Sequence, residues 1–310
     1  MADHSQTVLA LVGPTGAGKT ATALDIAGDL ASQGTPTEIV AIDAFTIYRD
    51  MDIATAKPSR DDRAQVPHHL VDVVDPDTDV TVAWFQQLAR DAIAQVHGRD
   101  AMPLLVGGSG LYWRAVVDPF DFPPTELEVR EQLDAYWQGR YDQAYEYLRE
   151  LDPAAAEDIE PQNQRRIIRA LEVIQITGQP FSTFKRAWKE YRSVYPDLRV
   201  VMLDPEDTVL RTAIWQRATA MVDGGLIDEA HQLRQRYELS RTARQAIGYA
   251  EAFSVLDGAL AAADLADAIA TRTWKYVRRQ RAWFRADPRC QLCQNTSSDH
   301  VFTQLTADAT

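Results

Sequence analysis

Gly13-Pro14-Thr15-Gly16-Ala17-Gly18-Lys19-Thr20 is the stretch that decides the fold. Its spacing, Gly-x-x-x-x-Gly-Lys-Thr, is that of a phosphate-binding P-loop, and the context is the one such a loop needs. Before it, Thr7 to Val12 (TVLALV) is a continuous apolar run rich in β-formers, which reads as a buried strand; after it, residues 21–30 are amphipathic at helical spacing. In a strand–loop–helix unit of this kind, backbone N–H groups of Gly13, Thr15, Gly16, Ala17 and Gly18 and the helix N-terminus cradle phosphate oxygens. Lys19 reaches the distal phosphate, and the Thr20 hydroxyl ligates Mg²⁺. The expected ligand is therefore a phosphate or diphosphate ester. Most such loops hold a nucleoside triphosphate for hydrolysis or phosphoryl transfer, and the loop alone does not choose the reaction.

Outward from the loop, residues 38–42 (EIVAI) form a second short apolar run ending at Asp43, and residues 103–106 (PLLV) a third ending at Gly107-Gly108-Ser109-Gly110. Between them residues 82–97 have helical spacing. Strands alternating with helices predict an α/β fold: a P-loop NTPase-like core with a parallel sheet, its site at the C-terminal ends of the strands. Asp43, at such an end, reads as a carboxylate orienting Mg²⁺, as a general base, or as a turn residue, and its position leaves all three open.

After Tyr112 the pattern changes. Pro119, Pro123 and Pro124 interrupt the chain, and residues 126–149 and 151–175 are charged and helical in spacing; a strand returns only at residues 198–204 (LRVVMLD). The expected organisation is an α/β core at 1–118, an inserted helical domain at 119–198, the rest of the core with a basic helix at 199–290, and a mobile polar tail at 291–310. Residues 208–233 and 260–285 read as mostly helical.

With 310 residues, 45% of them hydrophobic and 25% charged, the chain can bury a sizeable core, and its two cysteines rule out a disulfide-stapled scaffold. No apolar run approaches the ~18 to 20 residues of a membrane span, and Met1 to Ser5 lack the basic start of a secretory leader. A cytoplasmic monomer without membrane contact is expected. The net charge of −13 repels polyanions overall, but residues 161–200 carry eight Lys/Arg against three Asp/Glu, and residues 241–289 nine against five. A nucleic acid would have to use these local patches.

Several long segments resemble the tRNA dimethylallyltransferase family, the tRNA isopentenyltransferases. They are Asp43-Ala44-Phe45-Thr46-Ile47-Tyr48-Arg49 through Lys57-Pro58, Pro67-His68-His69-Leu70-Val71-Asp72, Leu105-Val106-Gly107-Gly108-Ser109-Gly110-Leu111-Tyr112, Arg165-Arg166-Ile167-Ile168-Arg169-Ala170-Leu171-Glu172-Val173, Ile247-Gly248-Tyr249 and the helix from Thr271 to Arg285. In order, they cover about residues 8 to 286. The resemblance implies transfer of a dimethylallyl group from dimethylallyl diphosphate to N6 of adenosine 37 in tRNAs reading codons that begin with U. The P-loop then holds a diphosphate leaving group and not ATP.

The chemistry suits the residues. As diphosphate departs, cationic and amide donors must stabilise the charge that develops on it, which is what Lys19, Thr20 with Mg²⁺ and the loop amides offer. The purine amine is a poor nucleophile, so a carboxylate within hydrogen-bond reach must orient it and take its proton; Asp43 matches the family residue in that role. Ser109 matches a Thr/Ser position near the reacting centre, and Arg217 matches an arginine that helps to bind the diphosphate. For tRNA, the resemblance implies Asp43, Ala44, Phe45 and Thr46 at the base, Arg165, Arg166 and Arg169 on the insertion, and Gln245, Ile247, Gly248, Tyr249 and Arg278. The basic positions of the last helix, Arg272, Lys275, Arg278, Arg279, Arg281 and Arg285, read as phosphate contacts, and its aromatics Trp274, Tyr276, Trp283 and Phe284 as core. A two-lobed shape fits a reaction in which a base must be splayed out to meet a buried donor.

Two departures stand out: Ala44, Phe45 and Thr46 occupy positions where the family often has Ser, Met or Gln, and Ala54 replaces a usual Gly. Cys290-x-x-Cys293 has only His300 nearby, too few ligands for structural zinc. Other functions fit less of the sequence. A P-loop nucleotide or small-molecule kinase leaves the arginine clusters unexplained, an adenylate isopentenyltransferase needs no RNA-gripping insertion, and an RNA-binding module without catalysis has no use for Lys19, Thr20 and Asp43 together.

Overall fold

A computed structural model describes residues 6–184 and 190–307. Met1 to Ser5, on which part of the leader argument rests, and Lys185, Arg186 and Lys189 of the first basic stretch lie outside them. The described chain forms two compact units, one of residues 1–118 and 193–310, the other of residues 119–192.

The first unit is built on a six-stranded, all-parallel sheet: β1 (Thr7–Val12), β2 (Thr37–Ile42), β3 (His68–His69), β4 (Met102–Gly107), β5 (Asp197–Leu203) and β6 (Cys290–Cys293), in the order β3-β2-β4-β1-β5-β6. Every residue of β1 is buried, as expected of a central parallel strand covered on both faces. Side chains alternate between two cores. Val8, Ala10 and Val12 join Val40, Ile42, Leu105 and Met202 on one face, under Phe85, Trp113 and Phe284. Leu9 and Leu11 join Ile39, Leu104, Val201 and Leu203 on the other, under Ile26, Leu210, Ile214 and Val277.

Register fixes what meets at the C-terminal edge. Gly107 of β4 is level with Val12 of β1 on one side and Ile42 of β2 on the other. The P-loop, Asp43 and the Gly107-Gly108 turn are thus the next residues of three adjacent strands. Gly13 starts its loop at φ +140, and a Cβ there would collide with the Leu203 carbonyl, so the turn admits no side chain.

The second unit holds helices Leu127–Trp137, Tyr141–Leu151, Pro153–Asp158 and Gln164–Thr177 around its own core of Trp137, Leu148, Ile159, Ile167, Ile168 and Leu171. Each expected long helix is two. The first breaks at Gln138-Gly139-Arg140 and the second between Asp158 and Gln164; residues 208–233 likewise divide into Asp207–Asp223 and Leu226–Arg236 around Gly224-Gly225. Glu172 is fully buried at the centre of this unit, paired with Arg130 (2.7 Å) and Arg169 (2.9 Å).

Two expected boundaries are corrected. The insertion ends at Arg192, because β5 already pairs with β1 at Asp197 opposite Thr7. Residues 291–307 are not a loose polar tail: Cys290–Cys293 is an edge strand, and the helix Ser298–Thr306 buries Val301 and Leu305 in the second core. Its apolar positions, four apart, lay hidden among polar residues.

Candidate active site

The loops at the C-terminal edge of β1, β2 and β4 open into a cavity of ≈ 400 Å³, lined entirely by the first unit. One end is the P-loop. The helix Lys19–Ser32 begins there behind Gly18 in a left-handed conformation, with no side chain capping it, so its first amides are available to an anion. The Lys19 ammonium donates to the carbonyls of Gly13 (2.9 Å) and Pro14 (2.8 Å). Burial pulls its pKa down to about 8, with Asp43 opposing and Arg217 reinforcing the shift. Arg217, on the helix Asp207–Asp223, reaches the same loop: Nη1 donates to the Thr15 hydroxyl (2.9 Å) and Nη2 to the Ala54 carbonyl (3.1 Å).

Asp43 also lines the cavity. Its Oδ1 accepts from the backbone N–H groups of Phe45 (2.8 Å) and Thr46 (3.3 Å), which fixes the carboxylate plane and leaves Oδ2 without a hydrogen-bond partner among the described residues. Thr46, which also lines the cavity, is 6% exposed, and its buried hydroxyl has no hydrogen-bond partner among the described residues. A buried hydroxyl in that condition is costly unless a ligand completes it. Thr20 is exposed and also lines the cavity. With Asp43 it offers the hard oxygen donors that suit Mg²⁺, which takes one or two protein oxygens and fills its shell with phosphate and water.

The other wall is apolar. The helices Asp207–Asp223 and Leu265–Arg285 pack together, and each presents a stripe to the cavity: Ile214, Arg217, Ala218 and Met221 on the first, Ile269, Thr273, Tyr276 and Gln280 on the second. Ile214 and Gln280 stand at the P-loop, so the apolar ends, Met221 and Ile269, lie farther from the phosphate cradle, in a cavity that Ala246 and Ile247 also line. Tyr276 keeps its proton, because burial and the Asp43 charge both push its pKa up.

Of the residues singled out in the sequence, the structure brings Thr15, Gly16, Gly18, Lys19, Thr20, Asp43, Phe45, Thr46, Arg217 and Ile247 to this cavity. Gly13 and Ala17 shape the loop from behind. Ser109 stands at the start of the helix Gly110–Val117, half-buried and outside the lining, where its neighbours Gly107 and Gly108 are the contact. Ala44 packs against the core.

Several residues assigned to RNA are engaged within the fold. Tyr249 is fully buried and its hydroxyl donates to Glu229, while Gly248 is pressed against Ala54: a Cβ there would lie 2.5 Å from that methyl, so both are internal. Arg169 is taken by Glu172 and by the carbonyls of Pro123 and Pro124. On the basic helix, Arg272 pairs with Glu251, Arg281 with Asp204 and Asp207, and Arg285 with Asp204, so three of the six cations hold the fold. Lys275, Arg278 and Arg279 are exposed, as are Arg165 and Arg166 on the second unit and Gln245, whose carbonyl accepts from Arg272. Tyr276, read as core, faces the cavity. Cys290 and Cys293 point to opposite faces of β6, into different cores, and cannot share a metal.

Sequence reasoning missed Gln280, Thr273, Ile269, Ala218 and Met221. The available signal was the stripe 269-273-276-280, one helix face with two polar members between apolar neighbours.

The comparisons with known proteins agree with this architecture. The family profile described as IPP transferase matches residues 46–287. A tRNA dimethylallyltransferase of Bifidobacterium animalis subsp. lactis is 45% identical over 285 residues, 91% of this chain and 80% of the relative. One from Nocardioides sp. is 42% identical over 286 residues, 91% of this chain and 89% of its own. The crystal structure of tRNA isopentenylpyrophosphate transferase from Bacillus halodurans superposes with a TM-score of 0.67 at 36% identity, covering 93% of this chain and 89% of that one. A eukaryotic dimethylallyltransferase acting on tRNA, 23% identical, shares the fold with a TM-score of 0.78 over 97% of this chain and 76% of its own. On the length of these matches and the profile across both units, the chain belongs to the IPP transferase family.

Proposed function

We propose that the protein is a tRNA dimethylallyltransferase, moving the five-carbon group of dimethylallyl diphosphate to N6 of adenosine 37 in tRNAs that read codons beginning with U. The observation that carries this reading is one cavity with a diphosphate cradle at one end and a wall of Ala218, Met221, Ile269, Ala246 and Ile247 running away from it. A phosphorylated hydrocarbon matches both parts, whereas a kinase has no use for the second.

In the reaction the C1–O bond of the allylic donor breaks, the N6–C1 bond forms, diphosphate leaves and N6 gives up one proton. Lys19, Arg217 and the amides at the start of the helix Lys19–Ser32 stabilise the charge gathering on the leaving group. Asp43, its Oδ1 held by two amides and its Oδ2 free, orients the amine and accepts the proton. Thr46, with its unpaired hydroxyl, is suited to a hydrogen bond with the splayed base. Thr20 would hold Mg²⁺, which would neutralise charge on the diphosphate oxygens, and the free Asp43 oxygen stays with the amine. Arg165, Arg166, Arg278 and Gln245 are exposed, and on this reading they contact the anticodon stem-loop. Among the described residues no helix is long and apolar enough to cross a membrane, and on this reading the enzyme meets its tRNA in the cytoplasm.

The test is incubation with Mg²⁺, dimethylallyl diphosphate and either an anticodon stem-loop carrying unmodified A36-A37-A38 or free AMP, read by mass spectrometry. A dimethylallyl gain on the stem-loop alone is expected. A gain on AMP at a matching rate would assign the enzyme to adenylate prenylation, and ATP consumption with no gain on either acceptor would return it to the kinases.

A further inference from the structure

Gln280 is 3% exposed and makes two hydrogen bonds, one accepted and one donated. Its Oε1 accepts from the Thr15 backbone N–H (2.9 Å), and its Nε2 donates to the Gly108 carbonyl (2.8 Å). The primary amide of glutamine has both an acceptor and a donor at this reach; ionised glutamate, methionine and leucine each lack one or both. It thereby ties the loop after β1 to the turn after β4. The joint has no slack: a Cβ at Gly108 would overlap the Gln280 amide and lie 3.0 Å from the Gly13 carbonyl. Thr15 is held from both sides, its backbone by Gln280 and its hydroxyl by Arg217. Lys19 hangs on the carbonyls of Gly13 and Pro14 in the same loop, so where its ammonium sits depends on where that loop is pinned.

Resting on the reading of this cavity as the donor site, we propose that Gln280 is a positioning residue for the leaving diphosphate: it locks the P-loop against the Gly107-Gly108 turn, so that the loop amides and Lys19 are set in advance for the phosphates. Without the lock the loop must be ordered by the ligand, and the cost falls on diphosphate affinity. The exposed residues proposed for the stem-loop, Arg165, Arg166, Gln245 and Arg278, take no part in this joint, so tRNA affinity is spared.

Two variants test this, with inorganic diphosphate binding and the kinetics of both substrates as readouts. Gln280→Met keeps the volume and removes both bonds. It is expected to weaken diphosphate binding and raise the donor KM by about tenfold, the scale of a lost hydrogen bond, while the tRNA KM stays within about twofold. Gln280→Glu keeps the acceptor and loses the donor when ionised, but regains an O–H donor for Gly108 when protonated. Its affinity relative to the unaltered protein at each pH is expected to recover as pH falls from about 8 to 6, with Gln280→Met flat over that range. A merely structural glutamine would lower the melting temperature without this pH profile. Unchanged diphosphate affinity in both variants, an equal rise in both KM values, or a flat pH profile for Gln280→Glu would each overturn the proposal. Should Gln280→Met fail to fold, the Gln280→Glu titration alone decides. Failure of the unaltered protein to prenylate tRNA would sink the proposed function, while the diphosphate affinities would still decide the role of Gln280.

Discussion

Asp43 and Lys19 line one cavity, where the Asp43 charge acts on the buried Lys19 ammonium, and each makes a separate demand on experiment. Asp43→Asn preserves the Oδ1 acceptor for the Phe45 and Thr46 amides but cannot take a proton, so kcat should fall by about 10² to 10⁴ with tRNA affinity within about twofold. An unchanged single-turnover rate would remove it as the base. For Lys19 the sign follows from its direction: burial has brought the ammonium from 10.5 to about 8, so the free enzyme loses this positive charge as pH rises through about 8. Affinity for inorganic diphosphate should therefore weaken by up to about tenfold per pH unit above that point, with proton uptake on binding, and Lys19→Arg should flatten the profile. Calorimetry in buffers of differing ionisation heat measures both. At this scale the sequence was legible wherever a short motif carried its own geometry: the P-loop residues and Asp43 follow strands and need no distant partner to be placed. Gln280 was not legible, because its partners Thr15 and Gly108 stand 265 and 172 residues away and helical spacing alone does not say whether a face looks onto core or cavity.

The basic helix Leu265–Arg285 shows what an element hides from its sequence. Its cations look equivalent in composition, yet Arg272, Arg281 and Arg285 are committed to Glu251, Asp204 and Asp207, whereas Lys275, Arg278 and Arg279 are exposed with no ion-pair partner among the described residues. Charge counting found the surplus but not the partners, which come from other segments of the fold. The two classes should separate cleanly under mutation. Arg278→Glu should weaken tRNA binding about tenfold and lower its salt slope by about one or more, with the denaturation midpoint unchanged. Arg281→Ala should instead cost about 3 kcal/mol of stability by stripping a partner from Asp204, which is 5% exposed, and should leave the salt slope alone. Filter binding at several salt concentrations beside urea titrations distinguishes them; a stability loss at Arg278 with no binding effect would reverse the assignment. The polar-tail expectation failed for a related reason: Val301, Phe302 and Leu305 carry the apolar face of the helix Ser298–Thr306, and three residues among polar neighbours give little periodic signal.

On the scale of the whole molecule, the chain leaves the α/β unit after Asp118 and returns at Ser193, and the two crossings are neighbours: the Val194 amide donates to the Val117 carbonyl (2.8 Å). Everything that lines the diphosphate cavity belongs to this unit, and residues 119–192 have a separate core built on Trp137, Leu148 and Ile168. The proline-rich junction at Pro119, Pro123 and Pro124 and the loss of strand pattern made the insertion visible in sequence; its far edge was placed six residues late because β5 begins with residues that do not look apolar. These facts set an expectation for the molecule as a machine. A chain in which a short Gly/Ser bridge joins Asp118 to Ser193 loses no sheet strand and no cavity residue, so it should unfold cooperatively and bind inorganic diphosphate within about twofold of the full chain. It gives up Arg165 and Arg166, the exposed cations proposed for the stem-loop, on a protein whose net charge of −13 otherwise repels RNA, and so it should fail to prenylate tRNA even in a single turnover. Calorimetry with diphosphate and a single-turnover assay on one preparation separate the two halves of this claim. Loss of diphosphate affinity would mean that the cavity depends on the insertion after all, while retained transfer to tRNA would place RNA recognition wholly on the α/β unit.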